Sequence, residues 1–180
     1  PYDGHNIKEL EKAFESAKKM DKSVVIHVRT KKGKGYKFAE DDKIGYWHGV
    51  GPFDIETGKS LNTNSNELIS YSECISNHLE KEMENNKDII AITPAMISGS
   101  KLNNIFNKFK DRAIDLGINE EHAVTFASGL SLNKKKPFLS IYSTFMQRSY
   151  DNLNNDLARM NLPLVVGVDR AGLSGEDGDT

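Results

Sequence analysis

The feature that most constrains the fold is a regular alternation of short apolar runs and amphipathic segments after residue 66. The apolar runs, which are too short for helices and typical of buried strands, are 88–93, 112–116, 137–142 and 164–168. The segments that repeat apolar side chains at helical spacing are 67–83, 101–109, 120–132 and 146–160. This alternation predicts an α/β fold with a mostly parallel, open sheet and helices on both of its faces.

A second α/β pattern precedes this region. Asn6 and Glu9 have the spacing of a capping box and predict a first helix that runs to about Met20. The β-branched run Ser23–Thr30 then predicts a strand. Residues 57–66 are polar and turn-prone without an apolar period, which is typical of a linker. We therefore expect a boundary there, between the end of one domain at 1–56 and another domain at 67–180.

Composition excludes several classes of protein. With 24 basic and 26 acidic side chains the formal net charge is −2, which argues against nucleic-acid or membrane-surface partners. The longest apolar run, near 162–168, is far shorter than the roughly 20 residues that span a bilayer. One cysteine, Cys74, cannot form an internal disulfide, so we expect a reducing compartment, with Cys74 packed in a helix.

Both ends of the sequence are unusual for a self-contained domain. The chain begins Pro-Tyr-Asp-Gly-His without an initiator methionine, and it ends in a glycine-rich segment directly after a predicted strand. We expect it to be an internal piece of a longer protein.

The candidate ligand site lies at the carboxyl ends of the predicted strands, because open parallel sheets bind ligands there. The loops that follow the strands are 31–35, 94–100, 117–121, 143–148 and 169–180. In the third of these loops and the helix it opens, the neighbouring acids Glu120 and Glu121 precede His122. They are either an acidic first turn that complements the helix dipole, or a carboxylate that hydrogen-bonds a ring nitrogen of a ligand.

Aromatic and cationic side chains follow two of the other strands. Tyr142, Phe145, Arg148 and Arg170 could stack on one planar group and clamp one anion. The basic loop 31–35 suits a phosphate, but it is equally typical of a solvated turn. His48 lies in a turn-rich stretch where a histidine is as often structural as functional. The cysteine and histidines have no metal-ligand spacing, and no Gly-x-Ser-x-Gly nucleophile motif is present.

Together these segments closely resemble the 1-deoxy-D-xylulose-5-phosphate synthases, thiamine-diphosphate enzymes of the transketolase superfamily. The resembling segments, in the order of the family, are 3–5, 30–36, 91–96, 121–127, 141–148 and 169–173. The resemblance implies that 1–56 is the end of a diphosphate-binding domain and that 67–180 is a pyrimidine-binding domain, truncated at its C-terminal end. The family's Gly-Asp-Gly motif for Mg²⁺ is not in this sequence, so the metal site is expected outside this segment.

The resemblance also assigns roles by position. Glu120 would hydrogen-bond the aminopyrimidine ring of thiamine diphosphate and promote removal of the thiazolium proton, and Phe145 would stack on that ring. Near Glu120, Asn119 and Glu121 depart from the small residue and the glutamine that are usual in the family. The implied roles are catalysis for Glu120 and His48, cofactor binding for Glu120, Phe145 and Lys32, and substrate binding for Tyr142, Arg148, Arg170 and Asp177.

The implied reaction is the condensation of pyruvate with D-glyceraldehyde 3-phosphate to 1-deoxy-D-xylulose 5-phosphate and CO2, which feeds isoprenoid and thiamine synthesis. The resemblance further implies a homodimer in the cytoplasm, or in a plastid-type organelle of a eukaryote, and these 180 residues alone are expected to be inactive. One alternative is another thiamine enzyme, such as a transketolase or a 2-oxo-acid dehydrogenase component. Another is a non-catalytic pyrimidine-domain module. The segments 31–36 and 93–96 favour the synthase.

Overall fold

The computed structural model describes residues 1–42, 45–61 and 69–172. By its internal packing the chain divides into two compact units, Pro1–Ser65 and Asn66–Thr180.

The first unit begins with a short β-α-β arrangement. Strand β1 (Tyr2–Asp3) pairs in parallel with β2 (Val28–Arg29), and helix α1 (Ile7–Lys18) lies between them in the chain. The side chain of Asn6 accepts a hydrogen bond from the Glu9 N–H at 3.2 Å, so the predicted cap and helix are confirmed. The predicted strand Ser23–Thr30 is wrong in length, because β1 offers only two residues for pairing. Residues with high strand propensity form a strand only where a neighbouring strand offers backbone groups for pairing.

The remainder of the first unit is built around aromatic rings. Helix α2 (Lys37–Glu40) and a 3₁₀ turn (Tyr46–His48) flank a cluster in which the Trp47 ring packs edge-on against Tyr36 and Phe53, with centroids 5.0 and 4.8 Å away. Phe53 also forms a β-bridge with Ser60. Residues 57–61 of the predicted linker therefore fold back within this unit, and residues 62–66 lie outside the described residues.

The second unit contains a four-stranded sheet in which every pairing is parallel. Its strands are β3 (Ile89–Thr93), β4 (Ala113–Asp115), β5 (Lys136–Tyr142) and β6 (Val165–Asp169), in the order β4-β3-β5-β6. All four strands were predicted within one residue of their observed ends. Because they are parallel, their carboxyl ends meet at one edge of the sheet.

One helix precedes the first strand of this sheet, and others connect its strands. They are α3 (Tyr71–Asn85), α4 (Asn103–Lys108) and α5 (Glu120–Leu132). The single helix predicted at 146–160 is instead a segmented one: α6 (Ser143–Met146), a 3₁₀ turn (Gln147–Ser149), α7 (Tyr150–Asn152) and a π-helix (Leu153–Ala158). Apolar periodicity does not distinguish these hydrogen-bond patterns, and short 3₁₀ and π segments are often found at functional sites. In the part of the chain that the structure describes, no helix is long and apolar enough to cross a membrane.

The sheet carries helices on both faces, as predicted. Successive side chains of a strand point to opposite faces, so apolar strands present an apolar surface on each face for helices to cover. On one face Ile90, Ile92 and Leu139 pack against the buried apolar side chains of α5, which are Ala123, Val124 and Ala127. On the other face Ala91 packs in a cluster with Leu79 and Met83 of α3 and Ile105 of α4. This two-sided core fixes the sheet and leaves its carboxyl edge to the loops.

Cys74 is exposed, so the prediction that it packs in the core is wrong. It does lie on a helix, α3, but the buried side of that helix is taken by Ser76, Leu79 and Met83. The apolar spacing therefore predicts the helix correctly, but it does not predict which side of the helix faces the sheet.

Candidate functional site

A buried carboxylate lies at the carboxyl edge of the sheet. Glu120 is the first residue of α5 and is 3% exposed. The Arg148 guanidinium donates from Nη1 to both carboxylate oxygens of Glu120, at 3.1 and 3.2 Å. A buried carboxylate is costly unless it is paired, and here the positive end of the helix dipole adds to the pairing. Glu121 is exposed, so the two adjacent acids of the sequence have different environments.

Two aromatic rings and a second arginine extend this ion pair into a row. The Tyr142 and Phe145 rings are parallel within 7°, with centroids 5.7 Å apart. The Arg148 guanidinium lies 5.6 Å from the Phe145 centroid, and that of Arg170 lies 4.1 Å from the Tyr142 centroid. We call Arg170, Tyr142, Phe145, Arg148 and Glu120 the site row. All five were predicted as site residues, and the structure brings them together.

The backbone that carries Arg170 is held by side chains which sequence reasoning missed. Asp169 Oδ1 accepts from the Arg170 N–H at 2.9 Å, and the Ser143 hydroxyl donates to the Arg170 carbonyl at 2.8 Å. The Ser72 hydroxyl lies 2.9 and 3.1 Å from the two Asp169 carboxylate oxygens. Ser72 is 97 residues from Asp169 in the chain, so no local motif could have indicated the contact.

Gly99 is a fourth residue that the sequence did not indicate. A Cβ atom at this position would overlap the Tyr142 hydroxyl, and it would lie 2.8 Å from the Met96 methyl carbon. The backbone of the loop after β3 therefore approaches the Tyr142 hydroxyl more closely than any larger residue permits. A glycine in a loop is too common for this contact to be read from sequence.

Two further predicted residues meet in the first unit. Lys32 Nζ lies 3.0 Å from His48 Nδ1, and both side chains are exposed. Lys32 also lines a shallow concavity of about 200 Å³ together with Glu40 and Trp47. The loop is held by His5, whose Nε2 accepts from the Lys31 N–H at 2.7 Å. Asp177, the remaining predicted site residue, lies outside the described residues.

Glu40 holds the basic loop 31–35 in place. Its carboxylate pairs with the Lys31 ammonium at 2.8 Å and accepts the Gly35 N–H at 2.8 Å. The hydrogen bond from Lys31, followed by that from Gly35, lowers the pKa of Glu40 to about 2. A group whose pKa is lowered on folding stabilises the fold above its ordinary pKa, and this stabilisation is lost as pH falls through the lowered value.

We therefore expect Glu40→Gln to lower the thermal midpoint of the first unit by an amount that depends on pH. The difference from wild type is full above pH 4.5, the ordinary value, and it shrinks as pH falls towards 2. Trp47 fluorescence during thermal unfolding measures it, because Trp47 is the chain's one tryptophan. Glu11→Gln, at an exposed position of α1, is the matched control. A difference between Glu40→Gln and wild type that does not change with pH would contradict the assignment.

The described residues also bear on metal binding. Among residues 1–42, 45–61 and 69–172, no group of three or more His, Cys, Asp or Glu side chains could hold a metal ion. A Mg²⁺ site contributed from outside this segment stays a prediction.

The fold and the site row define a class: a parallel α/β domain with a candidate ligand site at the carboxyl edge of the sheet, beside a buried glutamate at a helix N-terminus. Residues 67–180 match the family described as "Transketolase, pyrimidine binding domain". The chain belongs to this family. The resemblance that the sequence motifs indicated is thereby confirmed, and so is the fold class.

Curated relatives match over the whole chain. It is 49% identical over 180 residues to the 1-deoxy-D-xylulose-5-phosphate synthase of Macrococcus caseolyticus. The identity to the proteins of the same name from Geobacillus sp. and Listeria innocua is 50% and 48%. Each match covers 100% of this chain and 28% of the relative, so the chain spans less than a third of these proteins. Among solved structures, "Split gene transketolase, inactive beta4 tetramer" is 23% identical with a TM-score of 0.49, covering 53% of this chain and 32% of that one.

Proposed function

We propose that this chain is part of a thiamine-diphosphate-dependent enzyme that condenses pyruvate with D-glyceraldehyde 3-phosphate to 1-deoxy-D-xylulose 5-phosphate and CO2. In this proposal residues 67–180 bind the pyrimidine ring and residues 1–56 end the diphosphate-binding domain. Residues 57–66 link the two, with 57–61 packed in the first unit. The observation that carries it is the buried Glu120 carboxylate with the Phe145 ring beside its arginine partner. The printed names of the relatives support the reaction.

The residues of the site row fit an aminopyrimidine ring. Such a ring has a flat aromatic face and a ring nitrogen, which call for an aromatic side chain and a carboxylate. Phe145 is half-buried and its ring is already parallel to that of Tyr142, so it offers a rigid stacking surface. Glu120 offers a carboxylate from which water is largely excluded. When bound, thiamine diphosphate supplies the electron sink that lets pyruvate lose CO2 and join an aldehyde.

Glu120 would hold the proton at the pyrimidine nitrogen. Because its carboxylate is buried, water competes little for its hydrogen bond to a ligand, and that hydrogen bond is correspondingly strong. Arg148 orients the carboxylate by contacting both oxygens from a single nitrogen, Nη1. The Arg148 side chain is half exposed, so its positive charge would also attract an anionic substrate group.

Tyr142, Arg148 and Arg170 would bind the hydroxyl groups and the phosphate of the aldehyde substrate. Arginine suits this task because its planar fork can donate two hydrogen bonds to one phosphate. The two arginines lie against the Phe145 and Tyr142 rings, which restricts their guanidinium groups. By the position of its motif, Asp177 is proposed to complete this substrate site.

Lys32 and His48 would act on the substrate and cofactor from the first unit. With the Lys32 ammonium donating to Nδ1, the imidazole of His48 carries its hydrogen on Nε2. That nitrogen can donate to a developing oxyanion, while Lys32 contributes positive charge for a diphosphate.

The parent protein is further proposed to bind Mg²⁺ for the diphosphate and to act as a homodimer in a reducing cytoplasm. Its product would enter isoprenoid and thiamine synthesis. We propose that these 180 residues alone do not catalyse the reaction.

The choice of donor tests the proposed reaction. The full-length parent protein is supplied with thiamine diphosphate, Mg²⁺ and D-glyceraldehyde 3-phosphate, together with either pyruvate or a ketose phosphate. We expect 1-deoxy-D-xylulose 5-phosphate and one equivalent of CO2 from pyruvate, and no carbon transfer from the ketose. Product from the ketose alone would assign the protein to the transketolases, and no product from either donor would overturn the proposed activity.

A further inference from the structure

Arg170 has a backbone conformation that a residue with a side chain rarely adopts. Its φ is +55°, in the left-handed region, directly after the last residue of β6. Such a conformation costs free energy for any residue other than glycine, and it persists where surrounding contacts impose it.

Two side chains hydrogen-bond the backbone of Arg170, and a third anchors one of those two. Asp169, which ends β6, accepts the Arg170 N–H, and Ser143, which begins α6, donates to the Arg170 carbonyl. Ser72, the second residue of α3, donates its hydroxyl to the Asp169 carboxylate. The N–H and the carbonyl of Arg170 are therefore both hydrogen-bonded. Asp169, which accepts the N–H, is itself anchored to α3 by Ser72.

This anchoring determines where the Arg170 side chain starts. The side chain is exposed, and long cationic side chains in water sample many rotamers. Here its guanidinium lies 4.1 Å from the centroid of the Tyr142 ring. Tyr142 pairs with Asp169 in the β5–β6 ladder, so the ring and the anchor belong to the same pair of strands.

We propose that Ser72, Asp169 and Ser143 are positioning residues that fix the Arg170 guanidinium over Tyr142 to meet the phosphate of the acceptor aldehyde. This inference rests on the proposed function and adds residues that none of the sequence motifs assigned. These three residues act through Arg170 and not on the reacting atoms. Their loss therefore weakens the binding of the phosphorylated acceptor and leaves the handling of pyruvate intact.

The test uses the full-length parent protein with thiamine diphosphate and Mg²⁺. We expect Ser72→Ala to raise the KM for D-glyceraldehyde 3-phosphate by about tenfold, because small misplacements of a substrate-positioning group have effects of this order or more. The KM for pyruvate stays unchanged and kcat falls less than twofold. Ser72→Thr, which keeps the hydroxyl, restores the wild-type KM. Ser143→Ala provides an independent second variant with the same expected pattern.

Two controls separate positioning from a general structural effect. Ser16→Ala removes a hydroxyl that bonds only within α1, and it leaves both KM values unchanged. In an Arg170→Met background, Ser72→Ala produces no further rise in the KM for the acceptor, because the group it positions is gone. Equal rises in both KM values, additive effects of the two substitutions, or no rise at all would each overturn the proposal. A wild-type protein without carboligase activity would overturn the proposed function instead, so the two failures are distinguishable.

Discussion

Glu120→Gln is expected to lower kcat of the full-length parent protein by about two to four orders of magnitude, the range for loss of a general acid or base. The amide keeps the shape of the side chain and an oxygen that Arg148 can reach, so the fold is retained. The amide cannot exchange a proton with a ring nitrogen as the carboxylate does. Steady-state kinetics with pyruvate and D-glyceraldehyde 3-phosphate measures the loss, and thermal unfolding confirms that the variant is folded.

The adjacent acid provides the matched control. Glu121→Gln makes the same chemical change one residue away, at an exposed position of the same helix. We expect kcat to remain within about twofold of wild type, because an exposed carboxylate is screened by water. Equal losses for the two variants would show that a general change of charge at the start of α5 is responsible, and would remove Glu120 from the proposed chemistry.

Arg112→Met is expected to cost the second unit about 2–3 kcal/mol of free energy of unfolding, at roughly 1 kcal/mol for each hydrogen bond lost. Arg112 Nη2 donates to the Met83 carbonyl at 2.9 Å, and Nη1 donates to the carbonyls of Asn86 and Ile89 at 3.0 and 3.3 Å. Its guanidinium also lies 4.8 Å from the centroid of the Phe109 ring. One side chain therefore ties the end of α3 to the start of β3.

Hydrogen exchange of the β3 and β5 amides measures this effect, because protection in core strands reports the unfolding of the unit that contains them. Arg159→Met is the matched control, since the exposed Arg159 guanidinium donates to Asn155 at 3.1 Å and, among the described residues, ties no two elements of the sheet region together. Its expected effect is within about 0.5 kcal/mol. A loss of similar size in both variants would contradict the role assigned to Arg112.

The fold of the second unit was predictable because its signals are local and agree with one another. Helix α5 was predicted at 120–132, and those are its bounds, since apolar periodicity follows directly on an acidic first turn. The strand expected at Ser23–Thr30 shows the limit of such reasoning. Its β-branched residues have strand propensity, but pairing depends on β1, which is two residues long. Strand propensity indicates which residues favour an extended backbone, but it does not indicate how long the neighbouring strand is.

The site was predictable where its residues follow strand ends, and unpredictable where tertiary contacts decide. Tyr142, Phe145 and Arg148 follow one strand closely, so the carboxyl-edge rule brought them together. The burial of Glu120 and the exposure of Glu121 depend on which side of α5 faces the sheet, and adjacent acids look alike in sequence. The contact between Ser72 and Asp169 joins distant parts of the chain and left no signal at all.

In our proposal the buried Glu120 carboxylate is the contact for the pyrimidine ring of the cofactor. A crystal structure of the full-length parent protein with thiamine diphosphate tests it most directly. We expect a pyrimidine nitrogen at hydrogen-bond distance, about 2.6–3.2 Å, from a Glu120 oxygen, with the Phe145 ring stacked on the pyrimidine. A pyrimidine ring bound elsewhere, with Glu120 still paired only to Arg148, would contradict the account.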